Sequence, residues 1–224
     1  MKYKKYFTLS YDDGVEHDKR IITLMKKYGL KGTFNLNAGL LGKRSKLNKR
    51  IARIPADELK QVYESFEVAS HGYKHEMYKY LSNKKTQETI SKDIQVLSDI
   101  IGYRVSGHAY PYAMYTKKAE EALRKENVVY ARHALGKGSF KFPENTLKYM
   151  PTCWINTKEV FRLIDEFVQA KPEQEDMLFM MWGHSYELEF GVRKCPEDQV
   201  ERIFEKISGH KDIVYCTNRE AFSC

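Results

Sequence analysis

At 224 residues and 42% hydrophobic content, the chain has enough apolar material for one sizeable core, and a single domain over residues 1–224 is expected. No apolar run approaches the length of a bilayer span, the longest lying near residues 177–182, which excludes a membrane-spanning helix. The formal charge of +8 is concentrated in Gly42-Lys43-Arg44-Ser45-Lys46-Leu47-Asn48-Lys49-Arg50 and Arg53. Such a run ordinarily reads as a solvated loop, with an anion-binding surface as the alternative; lacking interleaved aromatics or a nucleic-acid module, it gives little support to nucleic-acid binding.

The first six residues run straight into a strand and leave no room for an apolar signal region, so a soluble cytoplasmic protein is expected. That strand, Tyr6 to Tyr11, alternates and ends in Asp12-Asp13-Gly14, the pattern of an active-site loop at a core strand's end. Adjacent buried carboxylates repel, so they require a cation or a shared proton.

Ile21, Ile22, Met25 and Tyr28 then repeat at helical spacing, with Gly29 as C-cap. Residues 32–39 read as a second strand, and Pro55-Ala56-Asp57-Glu58 opens a helix with acidic residues where the dipole favours them. Phe66 to Ser70 is a brief strand delivering His71-Gly72-Tyr73-Lys74-His75. Ile90, Ile94, Leu97 and Ile101 form one stripe of a long helix from Ser82 that Gly102 ends.

Further strands are expected at 105–110, 128–131, 147–152, 177–182 and 213–216, and helices at 117–126, 158–169 and 197–207. Strands alternating with helices favour a βα barrel, complete or incomplete, whose chemistry collects at the C-terminal strand ends. Asp12, Asp13, His71, His75, Tyr112 and His184 all fall at such ends. Cys153, Cys195, Cys216 and Cys224 have no short Cys-x-x-Cys spacing, so reduced, mostly buried thiols are expected. The 16 tyrosines suit half-buried packing as well as sugar-like ligands.

His71 and His75 lie four apart, and on one helical turn both rings face the same way and can share a metal. Two histidines and one carboxylate leave positions open for water and substrate, as catalytic metal sites require. Ser185 lacks the second glycine of a nucleophile elbow, which argues against a serine hydrolase. Glu187 either bonds into the site or is solvated. Asn37 serves the turn or touches substrate, and His17, His108, His133 and His210 read as structural or exposed.

Ser-Tyr-Asp12-Asp13-Gly, the His71/His75 pair, Ala109-Tyr110-Pro111-Tyr112 and Trp182-Gly183-His184 occur in an order that resembles the NodB-homology polysaccharide deacetylases, carbohydrate esterase family four. The resemblance implies a distorted or incomplete (β/α) barrel of the NodB type and metal-dependent removal of an N-acetyl, sometimes O-acetyl, group from a small or oligomeric sugar, and the expected substrate is an acetylated amino sugar or a related small amide. It implies Asp13, His71 and His75 as ligands of a divalent metal, commonly zinc, with cobalt or nickel as alternatives. Asp12 is the implied general base, the Tyr112 backbone N–H an oxyanion donor and His184 the acid that protonates the departing amine. Two departures stand out. Ala109 occupies the place of an arginine that orients the base, leaving Arg104, Arg132 or a lysine as substitutes. No aspartate closely precedes Trp154 to tune His184. Other readings are a cyclic-amide hydrolase, or a carbohydrate-binding or regulatory protein that kept the fold without turnover.

Overall fold

The computed structural model describes residues 3–191 and 194–223. Among these residues, eight strands form one sheet in which every pairing between strands is parallel. They are β1 (Lys5–Asp12), β2 (Gly32–Leu36), β3 (Glu67–Ser70), β4 (Gly107–Ala109), β5 (Tyr130–Arg132), β6 (Cys153–Trp154), β7 (Met177–His184) and β8 (Ile213–Tyr215). The order is β5-β4-β3-β2-β1-β7-β6. β8 lies against the first half of β1 and β2 against its second half, while β7 runs along all of β1. The sheet is a curled, incomplete (β/α) barrel with its seam between β5 and β6.

The alternation in β1 explains both its burial and its position. Phe7, Leu9 and Tyr11 join the apolar cluster shared with the helices, whereas Thr8, Ser10 and Asp12 bond to polar side chains from other elements. Thr8 Oγ1 meets Asn218 at 2.8 Å, and Ser10 accepts from Arg132 Nε at 2.8 Å and from Asn35 Nδ2 at 3.0 Å. The barrel interior therefore carries a hydrogen-bonded network in which these buried polar groups find partners.

The outer helices are α1 (Asp18–Lys27), α2 (Leu59–Val62), α3 (Asn83–Ile101), α4 (Lys117–Lys125), α5 (Val160–Gln169), α6 (Glu197–Ile207) and α7 (Asn218–Phe222). In α3 the Ser82 side chain caps the Lys85 N–H, and Gly102 ends the helix at φ 88°. α6 buries Val200, Ile203, Phe204 and Ile207 along one stripe, each contributing about 1.5–3 kcal/mol by leaving water. α7 closes the N-terminal end of the barrel, with Asn218 and the Arg219 N–H bonded to Thr8, Thr33 and Glu67.

Several expected elements differ. Residues 147–152 are not a strand: a 3-10 turn, Thr146–Lys148, and an irregular segment replace it, and β6 begins only at Cys153. The segment carries Pro151, which lacks the N–H a central strand needs. β2 ends at Leu36, with 38–40 forming a 3-10 turn, and the helix after Pro55 is a 3-10 turn followed by the single turn of α2. The 71–75 segment is a turn and not helix, with Gly72 at φ 77° and His75 at φ 58°. Cys153 and Cys195 are free and buried, Cys216 is buried, and Cys224 lies outside the described residues. No helix among the described residues is long and apolar enough to cross a membrane.

Candidate active site

Strand register assembles the site. Asp12, the last residue of β1, pairs with His184 on β7 and with Asn35 on β2. Beyond it the chain leaves the strand through two residues of positive φ, Asp13 at 82° and Gly14 at 62°. Glycine suits position 14 because of its positive φ, and a Cβ there would also push on Leu36 Cδ2 from 2.6 Å. Despite their adjacency the two carboxylates take different hydrogen-bond partners, Arg132 and Asn35 for Asp12 and Arg53 for Asp13.

Asp12 is 2% exposed and points into the barrel. Its Oδ1 accepts from Arg132 Nη2 at 2.5 Å and from Asn35 Nδ2 at 2.9 Å. Burial opposes ionisation, yet the charge and hydrogen bond of Arg132, with the charge of His184, hold Asp12 below the usual carboxylate range. Arg132 is itself fully buried and anchored to Ser10 Oγ and the His133 carbonyl. Arg104, by contrast, pairs with Glu126 away from the site.

Asp13, His71 and His75 offer ligand atoms that all lie within 4.8 Å of one another. His71 Nδ1 lies 2.8 Å from the Ala109 carbonyl, so Nδ1 is the protonated nitrogen and Nε2 presents a lone pair. That Nε2 faces His75 Nε2 at 3.1 Å. Two imidazole nitrogens so close beside the partly buried carboxylate of Asp13 match the donor chemistry of a divalent-metal site. Asn37 holds the turn from behind, donating to the His71 and Gly72 carbonyls at 2.6 and 2.8 Å. Buried Asp93 accepts from Ser70 Oγ, the His71 N–H and the Ala38 N–H, and burial pushes its carboxyl up to about 7.

His184 Nδ1 lies 3.0 Å from Glu187 Oε1, and Trp154 Nε1 donates to the other oxygen of Glu187 at 2.9 Å. Burial would lower the imidazole, but the hydrogen bond and charge of Glu187, with Asp13 and Asp12, outweigh it and raise His184 to about 9. Trp182 stacks on Trp154 at 5.4 Å and sets its edge against His184. Ser185 bonds to Asp18, which also accepts from Tyr63 at 2.6 Å, so the turn after His184 is tied to α1.

Tyr112 is half exposed, adopts φ 56° and rests its ring 4.3 Å from that of His75. His108 is fully buried between Ser70 and Tyr78, while His17, His133 and His210 contact Glu189, the Ala113 carbonyl and the Lys206 carbonyl. Arg53 was not anticipated in the site, yet its Nη2 lies 3.4 Å from Asp13 Oδ1. Position in the sequence gave no signal for it beyond membership of the basic run. Glu187 was detectable in principle, since an acid three residues past a strand-end histidine can reach back to it.

A curled parallel barrel with these groups at its C-terminal strand ends defines the class, a NodB-like distorted (β/α) barrel. The polysaccharide deacetylase profile matches residues 2–131, more than half of the chain, and the chain belongs to that family. The barrel also superposes on solved structures. For a deacetylase of Streptococcus pyogenes in complex with acetate, the TM-score is 0.55 at 16% identity, covering 63% of this chain and 61% of that one. For the Xyl-CE4 domain of a multidomain xylanase from the hindgut metagenome of Trinervitermes trinervoides, the values are 0.62 and 17%, covering 98% and 90%. For a family 4 acetyl xylan esterase from Clostridium thermocellum in complex with a cobalt ion, they are 0.61 and 13%, covering 97% and 90%. At these identities the likeness is one of fold. No curated protein sequence matches the chain.

Proposed function

We propose that the protein is a metal-dependent deacetylase that hydrolyses the acetamide, or an acetyl ester, of a small or oligomeric acetylated sugar. The observation that carries this reading is the convergence of Asp13, His71 and His75 beside an Arg132-bound Asp12 and a Glu187-bound His184. Asp13, His71 and His75 are the proposed ligands of a divalent metal, zinc first, with the cobalt in the Clostridium thermocellum relative as support for that class of ion. When bound, such an ion supplies Lewis acidity toward the acetyl carbonyl and its attacking water.

The chain's own residues divide the remaining work. Asp12, kept ionised by Arg132, accepts a proton from the attacking water. The Tyr112 backbone N–H is the proposed donor to the developing oxyanion, in a turn entered through Pro111. His184, kept protonated at neutral pH by Glu187, gives its proton to the departing amine nitrogen as the carbon–nitrogen bond breaks. Residues 1–224 are taken as one catalytic domain, because His184 and Glu187 complete a site begun by Asp12.

Ala109 in place of the arginine would favour a protein without turnover, and against that reading Arg132 supplies a cation to Asp12. Acetate release from a panel of N-acetylated sugars, with Asp12→Ala and His71→Ala as controls, tests the reading. Hydrolysis that survives both substitutions contradicts it.

A further inference from the structure

Between Gly39 and Ala56 the chain carries Lys43, Arg44, Lys46, Lys49, Arg50 and Arg53 and no acidic residue. This segment folds back on itself: Arg44 pairs antiparallel with Ala52, the Ser45 N–H reaches the Ile51 carbonyl at 2.8 Å, and the Arg53 N–H reaches the Lys43 carbonyl at 3.0 Å. Its base is sewn to the chain just past the aspartates. Val15 pairs with Arg53, the Ile54 N–H bonds to the Gly14 carbonyl at 3.0 Å, and the Glu16 N–H bonds to the Ala52 carbonyl at 2.9 Å.

This attachment splits the six cations into two groups. Lys43, Arg44, Lys46, Lys49 and Arg50 are exposed, whereas the Arg53 side chain is only 12% exposed and reaches Asp13. Arg53 makes poor use of that position. Its contact with Asp13 Oδ1, at 3.4 Å, is at the long end of a direct bond, and its Nε is buried without a hydrogen-bond partner among the described residues. A guanidinium presents five donors in a fork matched to carboxylate and phosphate oxygens, and leaving buried donors unmet is costly. Asp13 is also the carboxylate that the proposed metal would neutralise, which would leave Arg53 still more in need of an anion. The exposed cations around it, uncompensated by acids, would draw such an anion toward the site.

We propose that Arg53 reads an anionic group, a carboxylate or phosphate, on the acetylated sugar, with the basic hairpin steering that substrate into the barrel mouth. The proposal rests on the deacetylase reading and names its substrate class. The deacetylated products allow binding to be measured without turnover. Calorimetry with glucosamine, glucosamine 6-phosphate and muramic acid is expected to show an anionic sugar binding about tenfold or more tighter than glucosamine. The preference should shrink with added salt, fall toward unity in Arg53→Gln and be partly retained in Arg53→Lys. The phosphate and carboxylate arms identify which anion fits.

Equal affinity for all three sugars, or a preference unchanged in Arg53→Gln, overturns the proposal and leaves Arg53 as a charge partner of Asp13. Acetate release from N-acetylglucosamine, its 6-phosphate and N-acetylmuramic acid, measured in parallel, separates the two ideas. Equal turnover of all three refutes anion selection while the deacetylase reading stands. Anion-selective binding without acetate from any of the three removes the deacetylase reading and leaves anion recognition in place.

Discussion

Nη2 of Arg132 lies 2.5 Å from Oδ1 of Asp12, joining residues 120 positions apart in the chain. The β4–β5 register sets Arg132 directly beside Ala109. The cation that the family pattern carries on one strand is thus supplied at the same height by the next strand, across the barrel from β1.

Removing this guanidinium should harm both stability and chemistry. Arg132→Met strands a buried carboxylate, with an expected stability loss of about 3–5 kcal/mol at neutral pH. Asp12 is depressed in the folded state, so its contribution is present above its unfolded value near ~4 and is lost as pH falls through the lower folded value. The difference between wild type and variant in urea denaturation should therefore be largest at neutral pH and narrow in acid. A constant difference across that range would contradict the ionised pair.

Glu187→Gln tests the acid. The folded His184 value of about 9 lies above the ordinary value near ~6.5, so its stabilisation is complete below the latter and lost as pH rises through the former. In the variant the alkaline limb of kcat should move down by about one unit or more. The stability difference from wild type should be greatest on the acid side of neutrality. Histidine titration by NMR and a kcat–pH profile provide the two readings, and an unmoved alkaline limb rules out the Glu187–His184 couple as the proton donor.

Much of this was legible in local patterns. The Asp12-Asp13-Gly14 stop at the end of an alternating strand, the Ser82 and Gly102 helix ends and the α6 stripe follow from capping and periodicity. The partners of Asp12 and His184 were less accessible. Arg132 meets Asp12 only because β4 and β5 align Ala109 with Arg132, and spacing along the chain does not encode strand register. Trp154 has no aspartate closely before it in the chain; the acid that it binds, Glu187, follows it by 33 residues on the turn after β7. Residues 147–152 had strand-like composition, but the seam of an open barrel offers them no continuous partner.

Asp93 holds the His71 turn through three donors, and Asp93→Asn replaces one acceptor oxygen with a donor group. Metal affinity should fall by about 10–100-fold, as it does when groups that orient ligands are altered. Competition with a chromogenic chelator reads this directly, and unchanged affinity would show that Asp93 serves only the fold.

The role proposed for Tyr112 belongs to its backbone. Tyr112→Gly retains the N–H and suits φ 56°, so kcat should stay within about threefold of wild type even though the ring over His75 is lost. A drop of about a hundredfold or more would move the function to the phenol ring.

The most direct test is acetate release from N-acetylated sugars by protein stripped of metal with a chelator and then reloaded, with bound metal counted in parallel. Wild type should bind one divalent ion per chain, lose acetate release on stripping and regain it on reloading, while His71→Ala and His75→Ala neither hold the ion nor regain activity. Acetate release indifferent to stripping and to both substitutions, or a full complement of metal with no acetate released from any amide or ester, would contradict the account.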